Sequence, residues 1–419
     1  MYKKLIPKKS FIMLYSSLEK YKDSNRIAII DDNKKYKYSE LWKDSNKIAH
    51  WLSNLSTQNT TVGIMLDNCY DSVISIYGCI LSNVVCVPID SDMHQKNIEY
   101  IIRDSSVNVI ITDKKYINKI ELFCISKDIK IILSGSGRKQ TKYNYISNII
   151  INTNISKYYK NYDEHNIAFI FYTTGTTGPR KGVMLSHANL IASTKNINEF
   201  MKIDSSAVES LPMRLSHSFG FARLRCVFAV GGTVILENGF INPNKIIYNI
   251  KLHKANALSS VPMGFSILLN YFRPQFESIS SQIKYIEIGS SYMKLSHKHS
   301  LMELCPNARI CMHYGLTEAS RSTFLEFNKE KNKLSSIGKP SPNIMIKILD
   351  DNSKPFDDSD AGEILIKGDT VMAGYLNEGR IIKKNINNGW LHTGDLGRMD
   401  ADGYIYYLGR INDVINLGG

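Results

Sequence analysis

Short apolar runs that alternate with helix-spaced stretches limit the fold of this chain more than any other feature. Thr61-Val-Gly-Ile-Met-Leu, Val84-Val-Cys-Val-Pro-Ile-Asp and Val107-Asn-Val-Ile-Ile-Thr read as strands, the second ending at Asp90. Around them, residues 38–54, 70–83 and 96–105 carry apolar side chains at helical spacing, and Ser39 is the expected N-cap of the first helix. Strands that alternate with helices build a mostly parallel α/β sheet. The alternation resumes at Ile167-Ala-Phe-Ile-Phe-Tyr. It continues through a helix opened by Ser186-His-Ala-Asn-Leu, strands 233–236, 284–288 and 309–312, and a helix at 243–253. After residue 335 the texture changes. Strands Ile344–Leu349, Glu363–Lys367 and Tyr404–Leu408 are separated by turns rich in Asp, Asn and Gly. This predicts an antiparallel or barrel-like unit packed on the α/β body. The expected organisation is one α/β subdomain over 1–165, a second over 166–334, a β-rich subdomain over 335–411 and a stub at 412–419.

The net charge of +13 raises the question of a nucleic-acid partner. The Lys residues are spread among Asn, Ile and Tyr, and no block of five basic residues exists. That pattern is a solvated positive surface, so no nucleic-acid partner is expected. No apolar run reaches the roughly 18 residues that cross a bilayer, so no membrane partner is expected either. The N-terminus begins like a signal peptide, but its apolar run stops early and no small-residue cleavage site follows, which predicts a cytoplasmic protein. The seven Cys lack any C-x-x-C pair and read as buried thiols. His187, His217, His313 and His392 have no metal-ligand spacing. Asp400-Ala-Asp-Gly falls short of a calcium loop because Arg398 stands at its first position and no Glu closes it.

The stretch Tyr172-Thr-Thr-Gly-Thr-Thr-Gly-Pro-Arg-Lys-Gly-Val follows a buried strand. It is not a Walker A loop, since Lys181 precedes Gly182 rather than Ser or Thr. It still has what a phosphate cradle needs. Gly175 and Gly178 permit close backbone approach, Thr173, Thr174, Thr176 and Thr177 add hydroxyls, successive amides form an anion nest and Lys181 adds a charge. The loop resembles the signature of the AMP-forming adenylating superfamily, which comprises acyl-CoA synthetases, peptide-synthetase adenylation domains and beetle luciferases. In that family it wraps the β- and γ-phosphates of ATP.

Three further motifs are similar to the family's in the same order. Tyr314-Gly-Leu-Thr-Glu318 resembles the one in which the Tyr ring stacks on adenine, the Thr meets the α-phosphate and the Glu holds Mg²⁺. Gly289-Ser290-Ser291 resembles the strand-end loop beside the adenine. Trp390-Leu-His-Thr-Gly-Asp395 resembles the motif whose Asp holds the ribose hydroxyls, assisted by an Arg that Arg410 matches. Taken singly, Asp395 is an ordinary turn residue and Glu318 a solvated helix residue. The resemblance runs from about residue 25 to the end and includes the strand Val85-Cys-Val-Pro-Ile-Asp. It implies an α/β fold of the family's large N-terminal domain and activation of a carboxylic acid as an acyl-adenylate, with release of pyrophosphate. It also implies transfer to a thiol, on CoA or on the phosphopantetheine of an acyl carrier protein. Thr317, Glu318, Lys181 and His217 are the implied catalytic residues. ATP and Mg²⁺ are the implied cofactors, with Glu318 as the metal ligand. A ligase that loads a carrier protein or an amine, and a non-catalytic adenylate-binding module, are the alternatives.

His217 resembles the His that lies beside the substrate carboxylate in acyl- and aryl-CoA synthetases. Ser218 stands where amino-acid-activating domains place an Asp, which disfavours an α-amino acid. The implied acyl pocket is His217, Phe219, Phe221, Val261, Met263, Ile288, Gly315, Leu316 and Arg321, a largely apolar set that suits a fatty, branched or aromatic acid. Arg321 is unusual at its place in the family. It reads either as a structural partner of Glu326 or as a contact for a polar or anionic acyl substituent. The chain stops at Gly418-Gly419, inside the family's hinge motif, with Asn412 at the hinge position. The family's lid of about a hundred residues, with its Lys, is therefore expected to be missing and full turnover by this chain to be impaired. A shortened chain is the favoured reading over a natural lidless one.

Overall fold

A computed structural model describes residues 14–55, 60–137, 142–154, 162–173, 180–349, 361–377 and 379–411. The glycine/threonine positions 174–178 and the hinge position 412 lie outside them. The described residues form two nine-stranded sheets and a smaller five-stranded one. In the first sheet, Thr61–Met65, Val85–Pro88, Val109–Thr112 and Lys130–Leu133 run parallel. In the second, Val208–Leu211, Thr233–Leu236, Ala257–Ser260, Tyr285–Ile288 and Arg309–Leu316 run parallel. These strands read as apolar runs because both faces are covered, as expected of parallel sheets. The third sheet is antiparallel, with Trp390–Met399 paired to both Gly362–Lys367 and Ile405–Arg410.

The sheets do not follow the contiguous spans expected from sequence. Ile27–Asp31 pairs with Thr233–Leu236 and so belongs to the second sheet. Ile167–Thr173 and Lys181–Ser186 complete the first sheet, and Gly374–Asn377 extends it. Lys339–Pro340 joins the second. Strand pairing is decided by backbone partners far apart in the chain, so a change of texture along the sequence marks composition rather than sheet membership. The helix expected over 38–54 is Tyr38–Leu55, so Ser39 is inside it rather than capping it. Glu40 reaches back to accept from the Lys37 amide at 2.7 Å and satisfies that end instead.

Helices Tyr70–Ser82 and Ser218–Ala229 are buried along almost their whole length. Tyr38–Leu55 packs on the former so closely that a Cβ on Gly78 would stand 2.5 Å from Ile48. In this layer the Phe228 ring packs against those of Tyr38 and Tyr77, and Phe169 packs against Phe221. Each buried ring contributes roughly 1.5–3 kcal/mol by leaving water. The Cys side chains are buried except Cys69, which is partly exposed. None of the helices among the described residues is long and apolar enough to cross a membrane.

Candidate active site

A cavity of about 750 Å³ opens where all three sheets meet. Thr173 ends one strand and Lys181 starts the next, so the two flank the phosphate-loop stretch on neighbouring strands, Cα partners in the antiparallel pair. Ser218 and Phe219 come from the first turn of the buried helix, and Ser290 follows the strand Tyr285–Ile288. Gly315, Leu316, Thr317 and Glu318 form the tip of the hairpin between Arg309–Leu316 and Ala319–Glu326. Glu318 is therefore a hairpin residue, not a helical one. Gly394 and Arg410 reach in from the third sheet.

Two glycines are set by close approach. A Cβ on Gly289 would lie 2.1 Å from the His313 ring, and one on Gly315 2.5 Å from the Arg321 amide. Neither could be accommodated without moving the site.

A second cavity of about 310 Å³ adjoins the first and shares Ser290, Gly315 and Arg410 with it. Ser291, Tyr314, Tyr407 and Asp395 line it. Tyr314 donates its hydroxyl to Asp395 Oδ2 at 2.5 Å, and Arg410 Nε lies 2.9 Å from Asp395 Oδ1. Burial raises the Asp395 carboxyl above its ordinary value, with Tyr314 and Arg410 opposing that shift. An aromatic ring, an anchored carboxylate and a neighbouring guanidinium in one cleft suit a nucleoside: a ring to stack on and an acceptor for paired hydroxyls.

Glu318 accepts from the Tyr375 hydroxyl at 2.8 Å through Oε1, and Oε2 has no hydrogen bond among the described residues. Lys181 stands 5.3 Å from the centre of the Tyr375 ring. Tyr375 thus links the acid and the base of the site, a role no spacing announces, because it lies 57 residues from Glu318. The Thr317 hydroxyl lies 3.4 Å from Ser218 Oγ. No cluster of three or more His, Cys, Asp or Glu that could hold a metal occurs among the described residues. A hard cation at Glu318 would therefore draw its remaining oxygens from a bound phosphate and water, the usual arrangement for Mg²⁺.

The expected acyl pocket is only partly assembled. Phe219, Gly315, Leu316 and Arg321 line the main cavity. Phe221 lines a small void beneath it. Val261, Met263 and Ile288 do not line either: Ile288 is in the core and Met263 is exposed. Val261 falls between the strand Ala257–Ser260 and the helix Pro262–Tyr271, a placement that a linear count of apolar residues does not reveal. His217 is likewise absent from the cavity wall. Its Nε2 lies 3.1 Å from Asp90 Oδ2, half exposed, and Arg214 Nη1 pairs with the same carboxylate at 2.8 Å. Burial works to raise the Asp90 carboxyl, but His217, the Asp92 amide and Arg214 together hold it down at about 2.

Arg321 is not the partner of Glu326, which is paired with Arg309 and Lys329. It pairs with Glu287 through Nε at 3.0 Å, and its guanidinium stacks 4.7 Å from the Phe219 ring. Glu287 was missed from sequence, although an acid inside Tyr285-Ile-Glu-Ile was the signal to notice. Burial alone would raise its carboxyl, but Arg321, Arg223 and His313 outweigh that and hold it well below the usual range. At the far side, Asp400 and Asp402 both grip Lys333, and Asp400 also caps the turn amides of Asp402 and Tyr404.

Residues 17–376 match the family described as "AMP-binding enzyme". The long-chain-fatty-acid–CoA ligase of Bacillus subtilis is 29% identical, over 97% of this chain and 77% of its own length. The 2-succinylbenzoate–CoA ligase of Bacillus licheniformis is 28% identical, over 94% and 78%. The solved structure of o-succinylbenzoate CoA synthetase from Bacillus subtilis with its acyl-adenylate intermediate superposes with a TM-score of 0.81. It is 24% identical and covers 95% of this chain and 78% of that one.

Proposed function

Because the chain belongs to the AMP-binding enzyme family, we propose that it activates a carboxylic acid with ATP and transfers the acyl group to the thiol of CoA. In the first step a carboxylate oxygen attacks the α-phosphorus, the bond to the bridging oxygen breaks and pyrophosphate leaves. In the second a thiolate attacks the acyl carbonyl and AMP departs. The chemistry needs little covalent help from the protein. It needs two anions brought together and the charge on phosphorus stabilised.

The residues of the cavity supply this. Lys181 and Arg180 give positive charge beside Thr173, where the phosphates would lie. Glu318, with one oxygen committed to Tyr375 and the other without a hydrogen bond among the described residues, would hold Mg²⁺, whose charge would support the departing pyrophosphate. Thr317 would donate to the α-phosphate, and Tyr314, Asp395 and Arg410 would hold the nucleoside. The observation that carries the reading is this convergence of Lys181, Thr317, Glu318 and the Tyr314–Asp395–Arg410 group from all three sheets on adjoining cavities.

The test is adenylate trapping. The chain is incubated with Mg·ATP, hydroxylamine and a panel of acids, and acyl hydroxamate, AMP and pyrophosphate are measured. All three are expected in equal amounts with a preferred acid. Glu318→Gln is expected to lower the rate by about a hundredfold or more. Formation of ADP and phosphate instead, or an undiminished Glu318→Gln rate, sinks the proposal.

A further inference from the structure

We infer that the acid carries a second anionic group, a carboxylate or its equivalent, that lies against Arg321 at the inner end of the main cavity. The inference rests on the adenylation reading above and concerns which acid is taken.

It begins with the buried charges behind the hairpin. Arg223, Arg225, Arg321, Glu209 and Glu287 are each nearly or wholly buried. Arg223 spans both carboxylates: Nε and Nη2 meet Glu209 at 2.8 and 2.6 Å, and Nη1 meets Glu287 at 2.6 Å. Arg321 takes the other oxygen of Glu287. Tyr285 donates its hydroxyl to Glu209 and burial raises its ionisation well out of range, so it stays neutral. Burial likewise lowers His313, which sits 2.8 Å from Glu287, and Arg321 adds to that effect. Arg223 and Arg321 thus share Glu209 and Glu287, and Arg225 lies outside this group.

Arg225 has no carboxylate partner among the described residues. Its Nη1 donates to the Leu190 carbonyl and the Thr194 hydroxyl, and its Nη2 donates to Ser193 at 3.2 Å. Its Nε has no hydrogen-bond partner among the described residues. The ring of Phe221 covers one face at 4.9 Å. Burial lowers this guanidinium only to about 10, so it is charged at neutral pH. A buried cation without a counter-ion is costly, and it is commonly kept where a ligand supplies the missing charge.

The place of the missing anion follows from the walls. Arg225 lines a void of about 10 Å³, which holds roughly one water. Ser218, Thr317 and Ser320 also line that void, and the same three residues line the main cavity together with Arg321. An acyl substituent carried past the α-phosphate at Thr317 would therefore reach the wall to which Ser320 and Arg321 belong, with Arg225 beyond the small void. Arg321 has donors to give. Of its five N–H groups, Nε serves Glu287, Nη1 serves Ser320 and Nη2 serves the Phe219 carbonyl at 3.3 Å. Ser218 and Ser320 add hydroxyls. Ser218, Ser320 and Arg321 thus put polar groups into a wall that Phe219 and Leu316 also line.

The test uses the 419-residue chain and non-hydrolysable acyl-sulfamoyl-adenosines in matched sets. Each set has one acyl skeleton ending in a carboxylate, a carboxamide or a methyl group, on both a linear and an aromatic scaffold. Binding is measured by calorimetry. On at least one scaffold the carboxylate member is expected to bind about tenfold or more tighter than its carboxamide, the scale of a charged hydrogen bond. That preference should fall to within about threefold in Arg321→Met and shrink in Arg225→Met. Should either variant fail to fold, the wild-type comparison alone decides. Neutral members that bind as well as, or better than, the carboxylates on both scaffolds overturn the inference and leave the adenylate site standing. Silence toward every member overturns the adenylation reading and the inference with it.

Discussion

Asp395 shows how much one side chain can be asked to do. It is buried, yet it accepts from Tyr314 and pairs with Arg410, and so ties the hairpin of the second sheet to two strands of the third. The same carboxylate is the proposed seat of the ribose. Asp395→Ala should therefore weaken ATP binding about 10- to 100-fold, the range for a lost charged hydrogen bond, measured by calorimetry. Tyr314→Phe removes only the hydroxyl and keeps the stacking ring, so its loss should be well under tenfold. Equal affinity of Asp395→Ala and wild type would remove the nucleoside from this cavity.

The helix His187–Met201 carries a different kind of constraint. Ser186 accepts from the Asn189 amide at 3.2 Å, and Asn189 Oδ1 accepts from the Ser186 amide at 3.0 Å. The Asn189 amide group also donates to the carbonyls of Asp369 and Val371, both at 2.8 Å, so the cap fastens this helix to the segment leading into Gly374–Asn377. His187, the first residue of the helix, is buried against Tyr162, and neither ring nitrogen has a hydrogen-bond partner among the described residues. Burial lowers it from 6.5 to about 3. The folded state therefore binds fewer protons than the unfolded one between pH 3 and 6.5. Within that window stability falls as the pH falls, and above it the residue contributes no slope. Between pH 7 and pH 5 the loss is about 2 kcal/mol from this residue alone. Urea unfolding of His187→Phe at both values should show that part of the acid sensitivity gone. An unchanged pH slope would mean that the ring is hydrated or charged in the folded protein.

At the scale of the whole molecule, the two large sheets are held in register by a residue at the end of Thr61–Met65. The Asn68 side chain donates to the carbonyls of Met213 and Glu237 at 2.9 and 2.8 Å and accepts from the Leu215 amide at 2.8 Å. Its own amide donates to Asn238 at 2.9 Å. Backbone groups just past two strands of the second sheet are thus satisfied by a side chain just past a strand of the first. Asn68→Ala leaves them unpaired and is expected to cost roughly 2–4 kcal/mol. If the sheets also lose cooperativity, the denaturant slope should drop with the midpoint. A stability within 0.5 kcal/mol of wild type, the ordinary range for an exposed position, would show that apolar packing alone aligns the sheets.

Local signals in the sequence carry the α/β class, the order of most elements and the motif residues at the site, because strand and helix periods and turn chemistry act over a few residues. They carry Lys181, Thr317 and Glu318 into one cavity and Tyr314, Asp395 and Arg410 into its neighbour only as a resemblance. The pairing of Ile27–Asp31 with the second sheet and of Gly374–Asn377 with the first was not legible, since strands choose partners by backbone hydrogen bonds across long separations. Nor was the direction of side chains at the site. His217 turns to Asp90, Ile288 enters the core, Tyr375 joins Glu318, and Arg321 sits on Glu287 rather than Glu326. Residue identity and local periodicity set which chemical groups this protein has and the backbone that carries them. Tertiary structure alone decided which buried charges are paired and which are left over, because desolvation and hydrogen bonding depend on neighbours that the chain brings together only when it folds.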